Sequence, residues 1–433
     1  MSKVRIPLYK RLYEDIKSKI ISNDYKKNSK LESVRVLAKR LGISTTTVEK
    51  AYNQLVVEGY VKSVPRSGYI VQSLHSDTTK APFQHIKPIE YTYYENNNLT
   101  PDLFDIKTYK SIVNKVLNYQ SDELYTECDP RGELALREEI RKFVSRERNI
   151  NCDVNQIVVG SGIQTLLSIL NAINPKKSIT YLEPKFKKAM DVFQVHNYAM
   201  KPKTTIYDIT RTKADYLYIS PSNTYPLGDV IKIKDRDKLI RWAKENNSYI
   251  IEDDYNFFIR YNSYSIPSIY GQSNGTNVIY MGSFSKMIIP SIRISYMILP
   301  EDIYNKYTSI FENFSQGVSK LDQLSLAQFM KEGLFKRHTK KLYAKYKEKN
   351  EAILTALKKQ QKRKNFDILS TESNLHVVLD FVDTKDYKSF TKNCSRFRLK
   401  YDTISTLNQV IFPYSGIEVK DINKLIKDLF YSI

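Results

Sequence analysis

At 433 residues, with a 41% hydrophobic share that includes 33 Tyr and 18 Phe, the chain exceeds one small core and excludes global disorder, so two or three domains are expected. Its three cysteines, Cys128, Cys152 and Cys394, are scattered, which excludes a disulfide framework or a cysteine metal site and suits a reducing compartment. The formal net charge is +21, and residues 1–72 hold 15 Lys+Arg against 6 Asp+Glu, a net +9 that favours a nucleic-acid partner, although a uniformly lysine-rich surface would give a similar count.

Residues 7–22 read as a helix: Pro7 fits the first turn, and Leu8, Leu12, Ile16 and Ile20 recur every four residues. Ser33 is placed to cap a second helix with Val36, Leu37 and Leu41 on one face, and Gly42 supplies the turn after it. Ser44 caps a third, with Val48, Ala51, Tyr52 and Leu55 inward and Gly59 closing it. The β-rich runs Tyr60–Val64 and Tyr69–Gln72 flank Pro65-Arg66-Ser67-Gly68, a hairpin signature. Helix, helix, tight turn, helix, hairpin is the order of a winged helix-turn-helix.

Residues 73–89 are polar and aperiodic and read as a linker. From about residue 95 the runs IVVG, SITYLE, DYLYIS, SYIIED and NVIYMGS alternate with helical segments, which predicts an α/β domain around a largely parallel sheet. Beyond about residue 300 the pattern turns helical, with a long charged stretch from Leu334 to Lys364. The end is α+β, with a strand over Leu375–Phe381 and a helix over Lys420–Phe430. The expected organisation is therefore a DNA-binding head over 1–72, a linker over 73–89 and a second domain over 90–433. That second domain divides into a large α/β part (about 90–315) and a small α+β part (about 316–433). No apolar run approaches the ~18 residues of a membrane span. The opening MSKVRIPLYK has no signal-type core, so a cytoplasmic protein without a membrane partner is expected.

The head resembles the GntR-type winged helix through Leu31, Ser33, Arg35, Leu37-Ala38, Leu41-Gly42, Ser44, Thr47-Val48, Ala51-Tyr52, Leu55, Glu58-Gly59-Tyr60 and Ser67-Gly68. Ser44, Thr45, Thr46 and Thr47 open the third helix, where hydroxyls and free N–H groups can meet base edges and phosphates of duplex DNA. Arg35, Lys39 and Lys50 are placed to grip phosphates, and Arg66, with Ser67 and Gly68 at the hairpin tip, to reach a minor groove. Two departures from the family pattern stand out: Glu32 where Pro is frequent, and Thr45 where an arginine often reads guanine.

Downstream, Met281–Pro300 resembles the cofactor-lysine loop of fold-type I enzymes that use pyridoxal 5′-phosphate (PLP). The resemblance makes Lys286 the catalytic and cofactor-carrying lysine, with Ser283, Ser285 and Arg293 for the phosphate. It pairs Asp253 with the pyridine nitrogen, Asp254 being the nearest rival, and has Tyr255 donate to the phenolic oxygen. Gly162, Ile163 and Gln164 would cradle phosphate at a helix start, Phe186 would lie over the ring, and Asn223 would border it where the family usually has His.

Together these resemblances identify the chain as similar to the MocR subfamily of GntR regulators, a winged helix-turn-helix fused to a fold-type I PLP-dependent transferase domain. The resemblance implies a homodimer, two operator half-sites and a small-molecule effector, either PLP or an amino-acid derivative. A working aminotransferase with a vestigial head is the alternative. Such an enzyme needs an arginine near the C-terminus for the substrate carboxylate, and Asn408–Gly416 contains none, although Arg396 and Arg398 lie just before it. One missing charge-assisted pair weakens carboxylate binding by about 1.5–3 kcal/mol. A regulator with at most residual transaminase activity is therefore expected, and PLP sensing linked to vitamin B6 supply.

Overall fold

The computed structural model describes residues 7–72, 95–184, 186–261, 266–369, 374–404 and 407–431. The chain divides into two compact units, Met1–Tyr91 and Thr92–Ile433. The expected linker over 73–89 lies outside the described residues.

In the first unit, α1 (Leu8–Ile21), α2 (Val34–Leu41) and α3 (Thr45–Val57) precede a hairpin of β1 (Val61–Val64) and β2 (Gly68–Val71). The serine caps form as expected: Ser33 accepts from the Val36 N–H and Ser44 from the Thr47 N–H, each satisfying an otherwise orphaned donor. Val48, Ala51, Tyr52 and Leu55 are all buried against Leu12, Ile16 and Ile20. Two inward assignments fail: Val36 and Leu41 are exposed, and Leu37 with Ala38 faces the core instead. An eight-residue helix buries only a narrow stripe, and its two adjacent inward positions leave 36 and 41 on the flanks. Leu8 is exposed as well, ahead of the packed part of α1. Glu32 pairs with Arg40 at 3.1 Å, and its carbonyl accepts from the Tyr52 hydroxyl, so this departure from the family pattern gains its own anchors. The segment before α2 joins the hairpin through Leu31 N–H to Tyr69 O and Val71 N–H to Ser29 O.

In the second unit, β3 (Ile157–Gly160), β4 (Ser178–Leu182), β5 (Ala199–Lys203), β6 (Tyr216–Ile219), β7 (Tyr249–Asp253), β8 (Val278–Ser283) and β9 (Ser295–Ile298) form one sheet in the order β3-β9-β8-β7-β6-β4-β5. Only β9 runs against the rest, so β3, β4, β6, β7 and β8 all end on the same edge. That carboxyl edge is where open α/β sheets place their chemistry. The central strands β6 and β7 are buried at every position, as expected of a sheet covered on both faces. The rest of the unit includes the helix Leu334–Gln361 and an antiparallel sheet of β10 (Phe366–Ile368), β11 (His376–Phe381), β12 (Asp402–Ile404) and β13 (Gln409–Pro413) in the order β10-β11-β13-β12, with Val419–Phe430 as the last helix. Among the described residues no helix is long and apolar enough to cross a membrane.

Candidate cofactor site and nucleic-acid interface

Each strand end on the carboxyl edge delivers a side chain. Asp253, the last residue of β7, is 1% exposed and accepts from the Tyr218 hydroxyl at the end of β6, while its Oδ1 has no partner. Burial, reinforced by the neighbouring charge of Asp254, outweighs that hydrogen bond and raises its pKa to about 7. Asp254 is differently engaged: Oδ2 sits 2.6 Å from Arg148 Nε and 2.8 Å from the Tyr280 hydroxyl. Arg148 also bonds Ser222 Oγ at 2.7 Å and the Ile266 carbonyl at 2.7 Å. Asp254 is thus part of a buried brace through Oδ2, while one oxygen of each carboxylate, Asp253 Oδ1 and Asp254 Oδ1, has no partner.

Among the thirteen buried side-chain atoms without a partner in the described residues are also the Tyr255 hydroxyl, the neighbouring Asn256 Oδ1 and both ends of the Asn223 amide. Buried amides and hydroxyls are almost always bonded, so a cluster of such orphans marks a place prepared for a ligand. The Phe186 ring stacks on Tyr255 with centroids 6.3 Å apart and planes 6° from parallel.

Lys286 follows β8 through the turn Ser283–Ser285, in which Ser283 Oγ contacts Ser285 Oγ at 3.0 Å and Ser295 Oγ at 3.0 Å. His338 holds the next carbonyl, Met287 O, at 2.6 Å. The Lys286 amine donates to the Asn97 carbonyl at 3.2 Å. Burial, helped by the charges of Lys400 and Lys188, lowers its pKa to about 8. At pH 7.5 about a quarter of such amines are neutral, against roughly one in a thousand at the ordinary value, so this amine is primed to condense with an aldehyde.

Gly162 ends the turn after β3 with φ +146°, and a Cβ there would stand 2.8 Å from Arg293 Nη2. Glycine is therefore needed both for the backbone and for the guanidinium lying against it. Arg293, with Ser161 and Thr165, lines a cavity of about 470 Å³ at the start of the helix Ile163–Ile173. Helix N–H groups and a guanidinium make an anion cradle at one end of this cavity, which Asp322 also lines. Gln164 also lines the cavity, and its side-chain amide donates to the Lys188 carbonyl at 3.1 Å.

In the head, Arg35, Lys39, Thr45, Thr46, Lys50 and Arg66 are exposed, and Thr47, Ser67 and Gly68 are half-buried. The Ser44 hydroxyl is occupied by capping and by contacts to Thr46 Oγ1 (2.9 Å) and Thr47 Oγ1 (2.7 Å). Thr45 is left outside this hydroxyl cluster, at the exposed start of α3. Arg66, at φ +62°, and Gly68, at φ +97°, form the turn between β1 and β2.

Sequence reasoning did not single out Tyr218, Arg148, Asn97 or Lys400. Tyr218 stood inside a strand run with nothing to separate it from core tyrosines, and Arg148 is one of many basic residues whose burial depends on distant contacts.

A winged helix-turn-helix joined to an aminotransferase-like domain is the class these features define. A family model described as bacterial regulatory proteins, gntR family, matches residues 8–71, and one described as aminotransferase class I and II matches residues 90–400. The chain is 33% identical over 447 residues to the uncharacterized HTH-type transcriptional regulator YdeL of Bacillus subtilis (strain 168), spanning 98% of this chain and 96% of that protein. It is 25% identical over 370 residues to the HTH-type pyridoxine biosynthesis transcriptional regulator PdxR of Corynebacterium glutamicum, spanning 81% of this chain and 78% of that one. The fold is shared with an archaeal alanine:glyoxylate aminotransferase at TM-score 0.67 and 20% identity, over 77% of this chain and 88% of the other. The chain belongs to the GntR-type transcription regulators that carry a class I and II aminotransferase domain, the MocR subfamily. PLP is the cofactor of this domain class, and the orphaned buried groups, the low-pKa lysine and the anion cradle fit it.

Proposed function

We propose that this protein acts in the cytoplasm as a homodimeric regulator whose grip on duplex operator half-sites is set by the occupancy of the Lys286 site. The observation that carries the proposal is the set of unpartnered buried atoms on Asp253, Tyr255 and Asn223. PLP supplies an aldehyde and an electron-withdrawing ring. Lys286 would carry it, Asp253 would pair with the pyridine nitrogen, Tyr255 would donate to the phenolic oxygen, Asn223 would border the ring, and Phe186 would cover it. Arg293, Ser283, Ser285 and the backbone of Gly162, Ile163 and Gln164 would take the phosphate.

Regulation is favoured over turnover by the treatment of the substrate carboxylate. Asn408–Gly416 holds no arginine, and both Arg396 and Arg398 are exposed. The likeness to PdxR supports a link to vitamin B6 supply. In the head, Arg35, Lys39, Lys50 and Arg66 contact phosphates and grooves, and Thr45 with Thr46 meets base edges. Footprinting of genomic fragments with and without PLP tests the proposal. Protection that depends on PLP supports it. Identical footprints in both conditions, or none alongside rapid multiple-turnover transamination, would reject it.

A further inference from the structure

Three consecutive carboxylates span the end of β7, and their partners differ in kind. Glu252 accepts from the Ile269 and Tyr270 N–H groups at 2.9 and 2.8 Å, and Asp254 Oδ2 accepts from Arg148 Nε at 2.6 Å. Asp253, between them, receives neither a backbone donor nor a cation among the described residues. Its Oδ2 accepts from the Tyr218 hydroxyl, and its Oδ1 is unpartnered. Tyr218 stands near the end of β6, which runs parallel to β7 with Tyr218 opposite Ile251. The residue is 5% exposed, and its ring packs edge-on to Phe193 with centroids 6.4 Å apart, in an apolar cluster with Tyr181 and Met190. Phenylalanine would fill that space equally well, so what the tyrosine adds is one hydroxyl, whose bond goes to Asp253.

A buried carboxyl with so few donors tends to keep its proton. Burial and the adjacent Asp254 both push Asp253 that way, and the Tyr218 hydrogen bond opposes them. Tyr255, a further titratable neighbour, is held as a neutral phenol by burial and by the charge of Asp253, and Tyr218 is held in the same way. The proton of the Tyr218–Asp253 bond therefore stays on the phenol, and the carboxylate is the form that the bond favours. A carboxylate and a ring nitrogen that meet share one proton, and the weaker base gives it up. Making Asp253 the weaker base leaves that proton on the nitrogen, where it draws electrons from the ring.

We infer that Tyr218 is the positioning residue for the ring nitrogen of the cofactor: its hydroxyl fixes Oδ2, leaves Oδ1 for the nitrogen, and keeps Asp253 as the carboxylate beside a protonated ring. Tyr218 acts through that carboxylate. The inference rests on the proposed PLP site and adds the group that sets the charge of the ring within it.

The test loads full-length protein with PLP carrying nitrogen-15 in the ring and reads the nitrogen and phosphorus NMR signals at neutral pH. Visible absorbance first examines the cofactor site by itself; if the wild-type protein takes up no PLP, that site and this role both fall. With PLP bound, the wild-type ring nitrogen should be protonated, and a neutral nitrogen there overturns the inference whether or not any variant folds. Tyr218→Phe should take up PLP with an unchanged phosphorus signal, while its ratio of protonated to neutral nitrogen falls at least about tenfold, the weight of one hydrogen bond to a charged group. Asp253→Asn removes the carboxylate itself and should give the neutral nitrogen, which marks that end of the scale. A Tyr218→Phe nitrogen signal identical to wild type, or one that moves only together with the phosphorus signal, would overturn the assignment of Tyr218 and leave the PLP site standing.

Discussion

The Asp253 carboxyl offers a test in which stability and cofactor binding move in opposite directions. In the cofactor-free protein it is buried with one oxygen unbonded, and its pKa stands at about 7 instead of 3.8. Between those two values the native state keeps a proton that the unfolded chain has released, so stability falls as pH rises through this window, and the full penalty is present above it. At 1.36 kcal/mol per unit, the shift is worth about 4 kcal/mol at pH 8 and roughly 1.5–2 kcal/mol at pH 5. Asp253→Asn removes the charge, keeps the shape and still accepts the Tyr218 hydroxyl. Urea unfolding without PLP should show the variant gaining on wild type, by about 2–3 kcal/mol more at pH 8 than at pH 5. PLP titration followed by absorbance should show the reverse, with affinity falling by about 10- to 150-fold as the charged partner of the pyridine nitrogen is lost. A variant less stable than wild type at pH 8, or one that takes up PLP undiminished, would refute the placement of this carboxylate.

Gly162→Ala should push Arg293 out of the phosphate cradle, since the new methyl stands 2.8 Å from Nη2 at an unfavourable φ; the expected result is weaker binding of PLP with little change for pyridoxal, which lacks the phosphate. Arg148→Met strands Asp254 as an unpaired buried charge and should cost about 3–5 kcal/mol in urea unfolding. Arg35→Ala and Lys50→Ala should each lower the slope of log DNA affinity against log salt by about one, while surface substitutions on the aminotransferase-like unit leave it unchanged.

What the sequence disclosed was local. Ser33 and Ser44 announce helix starts because a capping hydroxyl acts within three residues. The glycine turn at 162, the serine turn at 283–285 and Asp253 at a strand end are legible because each is tied to a strand terminus. The phase of α2 was misjudged because three apolar residues on a short helix can be grouped in more than one way, and burial of the 37–38 pair decides it. β5, with sequence AMKPK, gives no alternating signal; it survives as an edge strand, where a proline is tolerated. The brace from Arg148 to Asp254 joins residues far apart in the chain, and no spacing rule reaches that far.

The bond from the Lys286 amine to the Asn97 carbonyl ties the turn after β8 to the early part of the second unit, which begins at Thr92. The lysine nitrogen has hydrogens to spare as an ammonium and at most one once it is doubly bonded to carbon, so its hold on Asn97 depends on what the nitrogen carries. The contact that would register a chemical change at Lys286 therefore stands near the start of that unit.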